Sequence, residues 1–290
     1  MLNPLKLTPI ACAILSTLST AQAETADSGK TFLLNKVSIA ASRSEQELGD
    51  IASTVHVITD ENIDSTLASN IRELVRYEPG VEVGNGAGDA ARFGAKGFNI
   101  RGMDENRIKI TVDGVDQANS FTPAGNPFQR AGRNHVDIET LKQIEIVKGP
   151  ASTLHGSDAL GGLVAYTTKD PVDYLSATGD DIGGSLKARY GHADNSMAQT
   201  LALAGRSGTL ESLLLYTHRE AEAQENHSDS VNKVDPQNFK SDNLLAKIQY
   251  QLNRQHRFGL TLEDYQSETG TDQSSKLSAP YYSDFYYGDD

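Results

Sequence analysis

The sequence has 290 residues, a single cysteine and a formal net charge of −13. So acidic a chain repels phosphates instead of releasing their counterions, which argues against nucleic acid as a partner. One cysteine excludes a disulfide framework and a cysteine-based metal site.

The chain opens with Lys6, an apolar small-residue run over 7–18, and Ala21-Gln22-Ala23. A short basic region, a hydrophobic stretch too short for a bilayer and an A-x-A site read as a secretory signal peptide over 1–23. Cleavage before Glu24 removes Cys12 and Lys6, which takes the charge from −13 to −14. No later run approaches ~18 apolar residues, so no transmembrane helix is expected. Export then leaves the periplasm, secretion or the outer membrane as destinations. Residues 24–42 form a polar lead that ends in "LNKVSIAAS", a short apolar alternation.

Residues 43–174 mix short helices and strands. In "SNIRELVRYEPGV", Asn70 is a candidate N-cap, with Glu73 three residues on as in a capping box. Ile71, Leu74 and Val75 share one face, and Pro79-Gly80 stops the helix. Strands are expected over 81–83, 97–101 and 107–112. A helical turn capped by Asp137 leads into a strand with Ile144 and Ile146 on one side. This is a small α+β domain, long enough to hold a core of its own.

Residues 175–181, "LSATGDD", read as a linker, and from 182 onward the chain is all-β. Leu186, Ala188 and Tyr190 oppose Ser185, Lys187 and Arg189. Leu244, Ala246, Ile248, Tyr250 and Leu252 oppose Leu245, Lys247, Gln249 and Gln251. Phe258, Leu260 and Leu262 oppose Arg257, Thr261 and Glu263. Such period-2 segments of about 10 residues fit transmembrane barrel strands, although a soluble sandwich alternates in the same way. Connection lengths separate the two. Short turns at 206–209 and 253–256 alternate with long polar loops at 222–240 and from 267, as in outer-membrane barrels. The fold class expected is therefore an α+β domain followed by the first strands, about five over 182–290, of an antiparallel transmembrane β-barrel.

A folded domain ahead of such strands has a natural place inside the lumen, since barrels of about 22 strands enclose a plug. A plug tolerates a polar core because it meets a polar wall and water instead of lipid. On that view "FNIRGMDENRIKITVDGV" (98–115) carries charge on one face of its strands. The chain resembles the TonB-dependent outer-membrane receptors at this stretch, in its Ile-Arg-Gly and Val-Asp-Gly strands. It is also similar at "IEIVKGPASTLHGSDALGG" (144–162), at the helix ending "RYEPGV" and at 34–42. The combination "GMDENRIKITVDGV…QANSF" is closest to the haem, haemoglobin and transferrin/lactoferrin branch. Departures exist: the family usually has Tyr-Gly-Ser-Gly where this chain has His155-Gly156-Ser157-Asp158, and Arg where Lys148 stands. Five strands also fall short of about 22, so the sequence reads as a fragment, or an interrupted reading frame, unable to transport by itself.

The resemblance implies several site residues. Asn35, Lys36, Val37, Ser38, Ile39, Ala40 and Ala41 would be the TonB box, a mobile strand that adds to a sheet edge of the TonB complex of the inner membrane. An ordinary first plug strand is the other reading. Arg101 and Lys148 would contact the barrel, or be solvated surface charges. The loops at 84–94 and 119–129 would face outward to ligand, the second with Phe121 and Phe128. His135, His192 and His227 are candidate haem contacts, or ordinary polar histidines. The glycines of 84–94 lack the βαβ unit of a dinucleotide site, and no carboxylate pair, metal cluster or nucleophile triad emerges. No catalytic function and no resident cofactor are expected. Haem would be cargo, with haem or a host haem-protein as ligand and outer-membrane lipid around the strands. Ferric-siderophore or cobalamin uptake, and a passive porin-like adhesin or phage receptor, are the alternatives.

Overall fold

The computed structural model describes residues 37–38, 46–47, 54–83, 97–119, 136–156, 158–222, 237–253 and 255–271. The predicted signal peptide, the loop at 84–94 and all but the first residue of the loop at 119–129 lie outside them.

Val37–Ser38 (β1) pairs antiparallel with Gln46–Glu47 (β2). Thr54–Thr59 (β3) runs directly into helix α1, Asp60–Thr66. Thr59 starts that helix with a capping box: its hydroxyl accepts from Asn62 N at 3.4 Å, and Asn62 Oδ1 accepts from Thr59 N at 3.2 Å. Asn70 caps the short helix α2, Ile71–Leu74, accepting from Glu73 N at 3.0 Å. Glu73 reaches back to Ser69 N at 2.7 Å, one residue earlier than a standard capping box requires. Val81–Val83 (β4) then pairs with Phe98–Ile100 (β5).

The polar stretch at 98–115 is built from two tight reversals. Arg101 and Gly102 have φ of 52° and 85°, and Asp113 and Gly114 have φ of 47° and 81°. Paired positive φ at both central residues is what a two-residue hairpin of the right twist demands, and glycine meets it without a Cβ clash. The second reversal joins Ile108–Val112 (β6) to Val115–Asp116 (β7). Leu141–Lys148 (β8) follows a turn over Ile138–Thr140 whose cap, Asp137, accepts from Glu139 N at 2.8 Å. Helix α3, Ser152–His155, precedes Gly162–Thr168 (β9).

These strands form one mixed sheet in the order β3-β8-β9-β6-β7, with β6 and β9 parallel. The core is apolar, with Phe98, Ile100, Ile108, Ile110, Ile144, Ile146, Val164 and Tyr166 all buried. The charges of 98–115 sit at the turns or on the outer face, as where Lys109 Nζ meets Asp116 at 2.8 Å.

The second sheet contains Asp181–Gly191 (β10), Ser196–Ser207 (β11), Leu210–Ala221 (β12), Gln237–Gln251 (β13) and Arg257–Thr271 (β14), all antiparallel neighbours in chain order. One face is apolar and exposed, with Leu203, Leu214, Leu244, Ile248, Leu260 and Leu262 on it. The upper edge of that band runs obliquely. Leu262 of β14 lies in register with Ala246, Leu214, Leu203 and Gly184, whereas on β10 the band continues to Tyr190. That climb from Gly184 to Tyr190 is about 20 Å along a strand, across roughly 19 Å of strand spacing. A level apolar belt then requires strands tilted by about 45°, as transmembrane barrels have. Among the described residues no helix is long and apolar enough to cross a membrane.

Candidate functional site

The opposite face of this wall is turned to the first domain, and it carries cations. Lys187 of β10 reaches Asp64 of α1 and Glu139 Oε2, the latter at 2.8 Å. Arg189 lies 3.5 Å from Glu139 Oε1 and donates to the carbonyl of Ala68. On β12, Arg219 Nη2 is 3.3 and 3.4 Å from the two oxygens of Asp137. On β13, Lys247 Nζ is 3.4 Å from Asp113, 3.1 Å from Asp170 and 3.3 Å from the carbonyl of Thr168. Gln249 Nε2 adds a 2.8 Å bond to Asp170.

Two of the carboxylates that receive these cations, Asp113 and Asp137, are held by backbone N–H groups of the first domain. Asp113, the left-handed residue of the Val-Asp-Gly turn, accepts from Thr168 N at 2.8 Å and Thr168 Oγ1 at 2.5 Å. Asp137 is also the cap of the turn before β8. The pairing therefore joins two preset frameworks instead of two flexible side chains. Burial sharpens it: Arg219 and Asp137 side chains are 8% and 3% exposed. Removing one partner of such a pair costs about 3–5 kcal/mol, because the other charge stays buried without compensation.

An apolar seat lies between the charged nodes. Tyr174, which ends the Pro171–Asp173 turn, packs against buried Ala202, Leu215 and Leu245 of the wall. Burial, with help from the Asp173 charge, pushes its phenol up to about 12. Burial likewise lowers the pKa of Lys169, and the neighbouring Lys187 adds to that. Gly183 lets β10 approach this turn, since a Cβ there would lie 1.9 Å from the carbonyl oxygen of Tyr174.

The predicted site residues are dispersed. Val37 and Ser38 are strand residues, paired with Glu47 and Gln46. Asn35, Lys36, Ile39, Ala40 and Ala41 lie outside the described residues, as do Phe121, Phe128, His135 and His227. Arg101 sits exposed in its turn, its N–H donating to the Gly80 carbonyl at 2.9 Å. Lys148 is buried and pairs with Glu78 within the first domain, where Glu78 also meets His56 at 3.0 Å. In the described contact with the wall the charges run the other way, with cations on the strands and acids on the first domain. The signal was present in the alternation, which puts Lys187, Arg189 and Lys247 on the polar face. What pointed at them was not legible.

His192 lies at the end of the wall that carries the 222–236 connection. There it lines a cavity of about 1110 Å³ with Tyr190, Met197, Phe239 and Lys240, and with the carboxylates of Glu220, Glu222 and Glu268. No cluster of His, Cys, Asp or Glu suited to a metal ion occurs among the described residues.

An α+β domain locked by ion pairs onto tilted strands with an exposed apolar belt defines a plug in a membrane barrel. Residues 47–163 match the family described as TonB-dependent Receptor Plug Domain. The first domain is thus a plug of the TonB-dependent receptors of the outer membrane, followed by the first wall strands. The chain is 37% identical over 245 residues to "Hemoglobin-binding protein A" of Haemophilus influenzae, covering 78% of this chain and 23% of that protein. It is 32% identical over 295 aligned residues to "Hemoglobin and hemoglobin-haptoglobin-binding protein" of Haemophilus ducreyi, covering 94% of this chain and 29% of that one. Among solved structures it resembles the Serratia marcescens hemophore receptor HasR, determined with its hemophore HasA and heme. That likeness has a TM-score of 0.64 at 26% identity, over 76% of this chain and 32% of that one. The chain thus spans roughly a quarter of the length of these curated relatives.

Proposed function

We propose that this chain supplies the plug and first wall strands of an active outer-membrane transporter for an iron source, haem or haemoglobin-borne haem. The observation that carries this reading is the likeness to haemoglobin-binding proteins, which extends through the plug and into the strands. The rim supports it. His192 lines the cavity at the loop-bearing end of the wall, and histidine is a residue type that ligates haem iron. Ligand captured by the outer loops waits above the plug. Energy arrives through the segment containing β1, whose short pairing with β2 leaves it able to add to a sheet edge of the TonB complex.

The test uses an intact receptor carrying this chain. Haem or methaemoglobin should give a saturable absorbance change, and cells should grow on haemoglobin as sole iron source. His192→Ala should weaken the spectral change if the rim histidine reaches iron. Val37→Pro should stop uptake while leaving binding intact, because proline removes a ladder donor. Saturable binding of a ferric siderophore, with no response to haem, would move the reading to siderophore uptake. Uptake unaffected by Val37→Pro would remove the energy-coupling role of this strand.

A further inference from the structure

The contact between the plug and β10–β13 has the features of a permanent joint, unlike a lock that opens in each cycle. Three independent observations converge on it. The first is the charged network, in which plug carboxylates meet buried Arg219 and Lys247 and half-buried Lys187 from three strands, with Asp113 and Asp137 held by plug backbone N–H groups. The second is the apolar seat of Tyr174 on buried Ala202, Leu215 and Leu245, which adds packing between the Arg219 and Lys247 nodes. The third is covalent. Residues 175–180 alone connect Tyr174 to β10, roughly 20 Å even at full extension. They are further pinned where Arg206 donates to the Ser176 carbonyl at 2.7 Å and Gly208 N donates to Asp180 at 2.7 Å.

The end of the plug that receives the pull has the opposite character. β1 pairs only through two residues, and β3 is the edge strand of the plug sheet, so its loss leaves β8-β9-β6-β7 intact. We infer that the plug remodels about a fixed dock. The face formed by the Asp113 turn, the Asp137–Glu139 turn and the Thr168–Tyr174 segment stays on β10–β13 throughout the cycle. Ligand therefore does not pass between this face and that wall. This rests on the proposed transport role, and it adds which side of the lumen remains closed.

Cys12 is the sole cysteine of this chain and falls in the predicted signal peptide, so in a receptor otherwise freed of cysteine the introduced thiols can be addressed singly. In the intact receptor, Asp170→Cys with Gln249→Cys should be joined by a short thiol cross-linker, because these side chains are in direct contact. Tyr174→Cys with Leu245→Cys provides a second, independent pair across the apolar seat. Cross-linked receptor of either pair should take up ligand at a rate within about twofold of the same receptor left unlinked. Uptake lost on cross-linking and regained on cleaving the linker would overturn the dock. A readout that needs no transport accompanies it. The thiol of the Tyr174→Cys variant should stay as protected from maleimide in energised cells with ligand as in de-energised cells. A tenfold or greater rise in labelling on energisation would also overturn the dock. If the unlinked receptor takes up no ligand at all, the transport reading fails, and the labelling result alone decides whether the dock holds.

Discussion

The plug sheet and the wall sheet are both five-stranded, yet the plug covers its most apolar face whereas the wall leaves its most apolar face open and covers a mixed one. In the plug, Ile146 and Ile110 are inside, while half-buried Lys109 reaches out to exposed Asp116. In the wall, Lys247 is 5% exposed while Leu244 and Leu262 are 42% and 61% exposed. Alternation by itself fixes which residues share a face, and the medium beyond each face decides which one is covered. Against lipid the apolar face stays outward, and the inward face needs acids to receive its cations. The plug supplies them.

That contrast can be broken most severely in the plug core. Ile146→Arg puts an unpaired charge where no water or acid can reach it, a penalty comparable to the whole stability of a domain, about 5–15 kcal/mol. The plug should lose protease resistance entirely in an intact receptor. A retained resistant plug fragment would show that this core is more open than its burial implies.

Next in size is the charged joint. Arg219→Met leaves Asp137 buried alone and should destabilise plug docking by about 3–5 kcal/mol, read from denaturant midpoints in detergent. Adding Asp137→Asn removes the stranded charge while keeping an acceptor for Glu139 N, and should restore most of the loss. If the double variant is as weak as the single one, the pair contributes shape and not charge compensation.

The smallest effect belongs to the lipid face. Leu262→Arg should cost about 2–4 kcal/mol at the bilayer midplane, falling to about 0–1 near the interface. Leu262 marks the upper edge of the apolar band on β14, so a value near 1 is expected. The same substitution at Ile248, lower in the band, should cost more. Equal costs at the two positions would contradict the oblique belt.

Much of the local structure was legible. The strands expected over 81–83, 97–101 and 107–112 appear as β4, β5 and β6, each trimmed by no more than two residues. Asn70 and Asp137 cap the turns assigned to them, because a cap is a contact between residues two or three positions apart. β3, α1 and β9 went unremarked, and so did the parallel pairing of β6 with β9. Their partners lie far away in the chain, where periodicity carries no information.

Pattern and spacing alone determined the two fold types, their order, and which wall residues share a face, since all of these follow from the two-residue repeat and from caps and turns. Only the tertiary structure decided what the charges are for. Lys148 looked like a contact to the barrel and is paired to Glu78 inside the plug, while Asp113 looked like a turn residue and is an anchor for Lys247. An ion pair depends on which side chains meet across sequence separations of more than 60 residues, and a single sequence records both charges without recording their meeting.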